Sequence, residues 1–418
     1  MDNTEEKNRE TQPSHGPLSQ YYRGPLNRLM DDYYKRVAEL EEKRDQPVAW
    51  ITSIVPIEIV NAFDLFPFYP ENYAALCAAR GVAAELIHIA ETKGVPRDVC
   101  GYATCNIGSI ISGRGAYGKG GLPRPDMLIS TRMSCNLHLT WFTYLSRYYQ
   151  VPLFIMDTPY RSGGAYEERD IQFYIQQLKR LITFIEERAG KSLSPDKLRE
   201  TLDLSDQATL AWQTISLSRK NIPSLLASRD VFSLMHPMVN MAGRPEPVVF
   251  YEDIAGEVKR RLAHGVGDGK KEKYRLIWDL FPPWHDMKLL KMFDEAGAVF
   301  VIDLYADAFS GRLDNPDPYM ALADKYLFIK SVQRGVADKR KAFERLFREY
   351  KLDGAVFMSN RSCRYMSLNQ LDLATFIRDR LKKPVLFFEG DHMDPNRHPK
   401  ETIAKQVQIF LELLSRTS

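Results

Sequence analysis

Cysteine is scarce in this chain, and no apolar run approaches the ~18–20 residues that cross a bilayer. Only five cysteines occur in 418 residues, Cys77, Cys100, Cys105, Cys135 and Cys363. So few, and odd in number, they make no disulfide scaffold. The polar opening MDNTEEKNRETQPSHG is not a secretory signal, so a reducing, cytoplasmic setting with free or metal-bound thiols is expected. An excess of one charge is missing as well: 57 basic residues face 54 acidic ones, a net charge of +3. Nucleic-acid binding by phosphate neutralisation therefore lacks its driving force. The chain has no GxxxxGK[ST] phosphate loop and no GxGxxG after a strand, which excludes ATP hydrolysis and a nicotinamide site as its own work.

What is present is the composition of a globular protein, 44% hydrophobic and 27% charged, long enough for two or three lobes. Residues 1–44 read as a disordered lead-in followed by an amphipathic helix over 19–44. From 45 to 165, apolar runs (48-VAWITSIVP-56, 126-DMLIST-131, 151-VPLFIMD-157) alternate with helical stretches over 72–94 and 136–150. Residues 166–265 are helix-rich and charged, with no strand pattern. From 266 to 418 the alternation returns, with strands at 274–280, 298–305, 354–360 and 384–391, and a last helix over 399–415; 265-GVGDGKKEK-273 is a flexible link. This rhythm predicts an α/β fold: two flavodoxin-like parallel-sheet lobes facing a cleft, with a helical insertion between them. Ligands of such sheets bind beyond the carboxyl ends of the strands.

Three cysteines fall in that zone. Cys100 opens 100-CGYATCNIG-108, Cys135 follows the strand 126–131, and Cys363 follows the strand 354–358 within 359-SNRSC-363. Thiolates at helix starts and beside arginines (Arg132, Arg361, Arg364) suit zinc or iron–sulfur chemistry. The spacings of 35 and 228 positions match no local metal motif, so scattered buried thiols stand beside a three-cysteine site as a reading. Cys77, on the apolar side of a helix, reads as core. Ser53 reads as a helix cap and Glu71 as a first-turn dipole partner. Glu58 is a second acid candidate. His138, among Trp141 and Phe142, reads as packed and hydrogen-bonded. His392, with Glu389, Asp391 and Asp394, reads as a solvated loop at a strand end. The basic glycine loop 113-GRGAYGKGG-121 covers a phosphate or is a plain hairpin.

Taken in order, 53-SIVPIEI-59, 69-YPENYAAL-76, 98-DVCGYA-103, 123-PRPDMLIST-131, 133-MSCNLHLTWF-142, 151-VPLFIMDTP-159, 359-SNRSC-363 with 367-SLNQ-370, and 388-FEGDHMD-394 carry a resemblance. They resemble the 2-hydroxyacyl-CoA dehydratase and benzoyl-CoA reductase family, from about residue 45 to 415. The resemblance implies a [4Fe–4S] cluster on Cys100, Cys135 and Cys363, with the fourth iron position free of protein thiolate. It places Ser53 and Glu71 near the thioester, and implies a related sister subunit, a separate ATP-hydrolysing iron–sulfur activator and an acyl-CoA substrate. Either a 2-hydroxyacyl-CoA loses water through a ketyl radical, or an aromatic thioester is reduced. Cys105 is the departure: it reads as a structural cysteine near the cluster, whereas as a fourth ligand it would close the open iron and make this an electron-relay subunit. A zinc-stabilised binding protein fits the thiols but not the family pattern.

Overall fold

The computed structural model describes residues 16–119, 122–133, 135–161, 163–267, 271–329 and 335–417. Most of the expected lead-in, two glycines of the 113–121 loop (Gly120, Gly121) and residues 268–270 of the link lie outside them. Two four-stranded parallel sheets form the frame. The first contains β1 (Val48–Ile51), β2 (Phe66–Phe68), β5 (Met127–Thr131) and β6 (Leu153–Met156), in the order β2-β1-β5-β6; β3 (Arg114–Gly115) and β4 (Gly118–Lys119) make a separate hairpin. The second contains β7 (Tyr274–Asp279), β8 (Ala298–Asp303), β9 (Gly354–Asn360) and β10 (Val385–Gly390), in the order β10-β9-β7-β8.

Both sheets follow one plan: the first strand is central, the second lies on one side, the third and fourth on the other. Each sheet therefore has one point where the winding reverses, between β1 and β5 and between β7 and β9. There the loops leaving the carboxyl ends diverge and open a crevice. The central strands are apolar and buried, as VAWI, MLIST and GAVFM are, and so is the edge strand AVFVID, because helices cover both faces of a parallel sheet. The two lobes are flavodoxin-like, as the alternation predicts.

Two local readings differ from the expectation. Strand β2 is missing from it, because three residues with a central proline give no period; Pro67 is tolerated there because β2 is an edge strand. The stretch 72–94 is not one helix but two, Pro70–Ala79 and Ala83–Thr92, bent by 119°. Gly81 makes the break at φ +78°, a left-handed conformation that costs glycine little. Among the described residues no single helix is long and apolar enough to cross a membrane.

Between the sheets run four helices, Glu168–Ala189, Pro195–Leu217, Ser228–Asn240 and Pro245–Ala263. The second of them, together with the helix Pro318–Phe328, is tied to the helix Ile57–Ala62 that follows β1 by a buried polar knot around Glu58. Its carboxylate accepts from Lys325 Nζ, Ser205 Oγ and Tyr326 OH, each at 2.7 Å. Burial would raise the Glu58 pKa, but Lys325 and the hydrogen bonds outweigh it and hold the carboxyl below its usual range. Removing one partner leaves a buried charge uncompensated, whereas replacing both is mild. Lys325→Met is therefore expected to cost about 3–5 kcal/mol, read by urea denaturation, and Glu58→Leu/Lys325→Met to cost clearly less.

Candidate functional site

Beyond the strand ends lies a cavity of about 70 Å³. Ser53 reaches it from the exit of β1, Cys135 from β5, Phe281 from β7, Tyr305 from β8 and Cys363 from β9; Glu71 and Cys100 come from helix starts. Every residue singled out by the resemblance, Ser53, Glu71, Cys100, Cys135 and Cys363, lines this one cavity. Both crevices open into it.

Each of the three cysteines stands at the N-cap of a helix: Cys100 before Gly101–Ser112, Cys135 before Asn136–Tyr149, Cys363 before the single turn Arg364–Ser367. The Cys135 sulfur accepts the Leu137 N–H at 3.4 Å. The first-turn N–H of Tyr102 favours the thiolate of Cys100, and those of Met366 and Tyr365 favour that of Cys363. Local chemistry sets the last of these turns, since the Ser367 hydroxyl accepts from Asn360 N–H and donates to Asn360 C=O. The arginines do not serve the thiols as expected. Arg361 pairs with Glu389 and Arg364 with Asp98, both exposed, and Arg132 lies 3.9 Å from Asp157. Oriented backbone amides take the place assigned to them.

Burial pushes the Cys363 thiol up to about 12, and raises Cys100 and Cys135 as well. The neighbouring sulfurs oppose one another's charge, Cys363 and Cys135 raising Cys100 further. Three thiolates here require a positive partner among them, which is what a metal cluster provides. Among the described residues no group of three or more His, Cys, Asp or Glu side chains could share a single metal ion. Three thiols lining one cavity are the donor class that an iron–sulfur cluster takes. Cys105 is fully buried, outside the cavity lining, with its thiol hydrogen-bonded to Cys77. It belongs to the packing behind the site.

Glu71 is the centre of a second group. Its carboxylate accepts from the Ser53 N–H at 2.7 Å and the Ser53 hydroxyl at 3.3 Å, and lies 3.1 Å from His138 Nε2. His138 is packed, as read from the sequence, but it also lines the cavity. Nothing in the local sequence reveals this, because Glu71 and His138 are brought together only by the fold. Glu58 is corrected: it is held in the knot described above, away from the cavity. The glycine loop is also outside the lining; its hairpin packs on Tyr73, and Arg114 pairs with Glu85.

The reading of His392 as part of a solvated loop is overturned. The ring is wholly buried, stacked on Phe281 (5.3 Å) and edge-on to Tyr102 (4.5 Å). Asp391 accepts the N–H groups of Met393 and Asp394, and Asp394 pairs with Arg397, so the acidic residues fold the loop onto the first lobe. The approach is close at Gly101, where any Cβ would lie 2.4 Å from Met393 Cβ. Leu280, at φ +63°, turns the chain so that Phe281 faces the cavity.

His398 and His285 pack ring to ring at 4.9 Å behind this loop, and His236 is buried elsewhere. Burial lowers all three, His398 and His236 to about 4. They stay neutral when folded and take a proton on unfolding, near pH 6.5. The stability they contribute is full above that pH and is lost as pH falls from 6.5 towards 4. Denaturation midpoints are expected to drop steeply in this window, by up to about 1.4 kcal/mol per pH unit for each histidine, with a shallower slope in His398→Phe.

A family profile described as 2-hydroxyglutaryl-CoA dehydratase, D-component, matches residues 52–414. The chain is 29% identical over 396 residues to the (R)-2-hydroxyisocaproyl-CoA dehydratase alpha subunit of Clostridioides difficile, covering 93% of this chain and 95% of that one. It is 27% identical over 376 residues to the (R)-phenyllactyl-CoA dehydratase alpha subunit of Clostridium sporogenes, covering 89% and 91%. It is 28% identical over 404 residues to a benzoyl-CoA reductase subunit of Thauera aromatica, covering 92% of each chain. With a match that spans nearly the whole chain, the protein belongs to the 2-hydroxyglutaryl-CoA dehydratase D-component family.

Proposed function

We propose that this chain is the cluster-bearing subunit of a radical 2-hydroxyacyl-CoA dehydratase, with a related sister subunit and a separate ATP-hydrolysing iron–sulfur activator. The observation that carries the reading is the meeting of three N-cap thiols, from both lobes, with the Ser53–Glu71–His138 group at one cavity. A [4Fe–4S] cluster on Cys100, Cys135 and Cys363 would supply a low-potential electron and an iron open to a substrate oxygen. With Cys105 turned to Cys77, no fourth cysteine among the described residues lines the cavity, which supports an open iron rather than a relay.

The reaction removes hydroxide from C2 and a proton from C3 of the acyl chain, giving enoyl-CoA and water. One electron enters first and returns last, so there is no net redox change. The Ser53 hydroxyl, held here on Glu71 at 3.3 Å, would turn from that carboxylate to donate to the thioester oxygen as charge gathers there. Glu71, oriented by Ser53 and His138, is placed to move a proton. Apolar walls at Ile54, Leu137 and Trp141 keep water from the radical. A larger cavity of about 450 Å³ shares Asn72 and Tyr305 with this one and offers a path for the pantetheine arm.

The likeness to a benzoyl-CoA reductase subunit keeps ring reduction as the second reading. Assay of the activated complex on (R)-2-hydroxyisocaproyl-CoA and on benzoyl-CoA separates the two, and turnover of the first alone is expected. Anaerobically purified protein should carry iron and sulfide near four each per chain. Cys363→Ala should lose most of that iron, and unchanged iron content would sink the ligand assignment. Glu71→Gln should retain iron and lose about 10²–10⁴-fold in kcat.

A further inference from the structure

His392 stands behind the thiols rather than in the cavity lining, and nothing above gives it a task. Its position is tightly fixed. The ring lies flat on Phe281 and edge-on to Tyr102, and its backbone carbonyl accepts the Trp284 N–H at 3.0 Å. On one side, Nδ1 lies 2.6 Å from Asn360 Nδ2; on the other, Nε2 lies 3.9 Å from Cys100 Sγ. The Asn360 amide presents its NH₂ group to the imidazole and its Oδ1 to the Ser362 hydroxyl, 3.4 Å away. With the amide so turned, Nδ1 is the acceptor. Asp391 Oδ1, at 3.6 Å from Nδ1, is too far to take a proton from it and accepts backbone N–H groups instead. A neutral imidazole that accepts at Nδ1 carries its proton on Nε2. The proton therefore points at the sulfur of Cys100.

From this relay we propose that His392 is a positioning and tuning residue for the proposed cluster, donating an Nε2–H hydrogen bond to the Cys100 ligand sulfur. The inference rests on the cluster reading. An added electron increases the negative charge on the ligand sulfurs, so an N–H aimed at one of them stabilises the reduced form more than the oxidised form. In a site shielded from water the effect is undiluted by solvent. His392 and Asn360 both come from the second lobe, at the exits of β10 and β9, whereas Cys100 belongs to the first. The cluster's ease of reduction thus depends on the two lobes being docked.

The test is an EPR-monitored redox titration of the anaerobically purified full chain, beside its iron content. His392→Phe keeps a flat ring between Phe281 and Tyr102 but has no N–H; the midpoint potential should fall while iron content holds. His392→Gln restores an amide N–H near the same place and should recover most of the potential. If His392→Phe does not accumulate, Asn360→Leu serves, since it leaves the ring and removes the group that fixes its proton; it too should lower the potential. Equal potentials in wild type, the phenylalanine variant and the leucine variant would overturn the inference while leaving the cluster reading intact. A wild-type chain that holds no cluster would overturn both.

Discussion

Three half-buried thiols around one cavity disfavour their own charged forms, and the structure near Cys100, Cys135 and Cys363 is organised by that fact. Burial raises each of them, and their mutual repulsion raises Cys100 further. No lysine or arginine among the described residues lines the cavity. What opposes the penalty is backbone: three helix starts aim N–H groups at three sulfurs. Backbone amides cannot swing away or be screened as lysines can. They ease the thiolate form of each sulfur without outweighing the burial that raises all three.

That arrangement requires two lobes, because no single winding reversal presents three helix starts to the same point. The β1/β5 crevice contributes Cys135, the β7/β9 crevice Cys363, and Cys100 caps a first-lobe helix whose start meets Met393 of the second. The docking is correspondingly firm. Trp284 donates to Tyr102 OH at 2.6 Å, Arg397 joins Glu91 to Asp394, Arg364 joins Asp98, and Gly101 admits Met393 at a distance no side chain would allow. The exposed ion pairs in this set add little. The buried ring contacts of Tyr102, Phe281 and His392 fix the geometry.

The sheets were legible from sequence because buried parallel strands are apolar along their whole length, as AVFVID and GAVFMSN are. So was the placement of Cys135 and Cys363, each just past such a run. The edge strand Phe66–Phe68 was not, being too short for any period. His392 was misread because its neighbours Glu389, Asp391 and Asp394 look like solvent-facing loop residues. Two of those carboxylates instead turn inward to hold backbone N–H groups, a choice made by the opposite lobe and not by local composition. The Glu71–His138 contact was invisible for the same reason: 67 residues separate them in sequence, and only the fold closes the gap.

Frame and walls of the cavity come from different kinds of residue, and this separates what the chemistry needs from what can vary. The thiols, Ser53 and Glu71 stand at strand exits and helix starts, where a shift of one residue would swing the side chain out of the cavity. Ile54, Leu137, Phe309, Ile329 and Met366 also face the cavity, but they touch it only by shape. Exchanging one for another apolar residue of different size changes the space available to an acyl chain without disturbing an N-cap or a hydrogen bond. These wall residues are drawn from five separate segments of the chain. The size and shape of the cavity are therefore properties of the assembled fold, and under the proposed function they would select the acyl group while the thiols, Ser53 and Glu71 are kept.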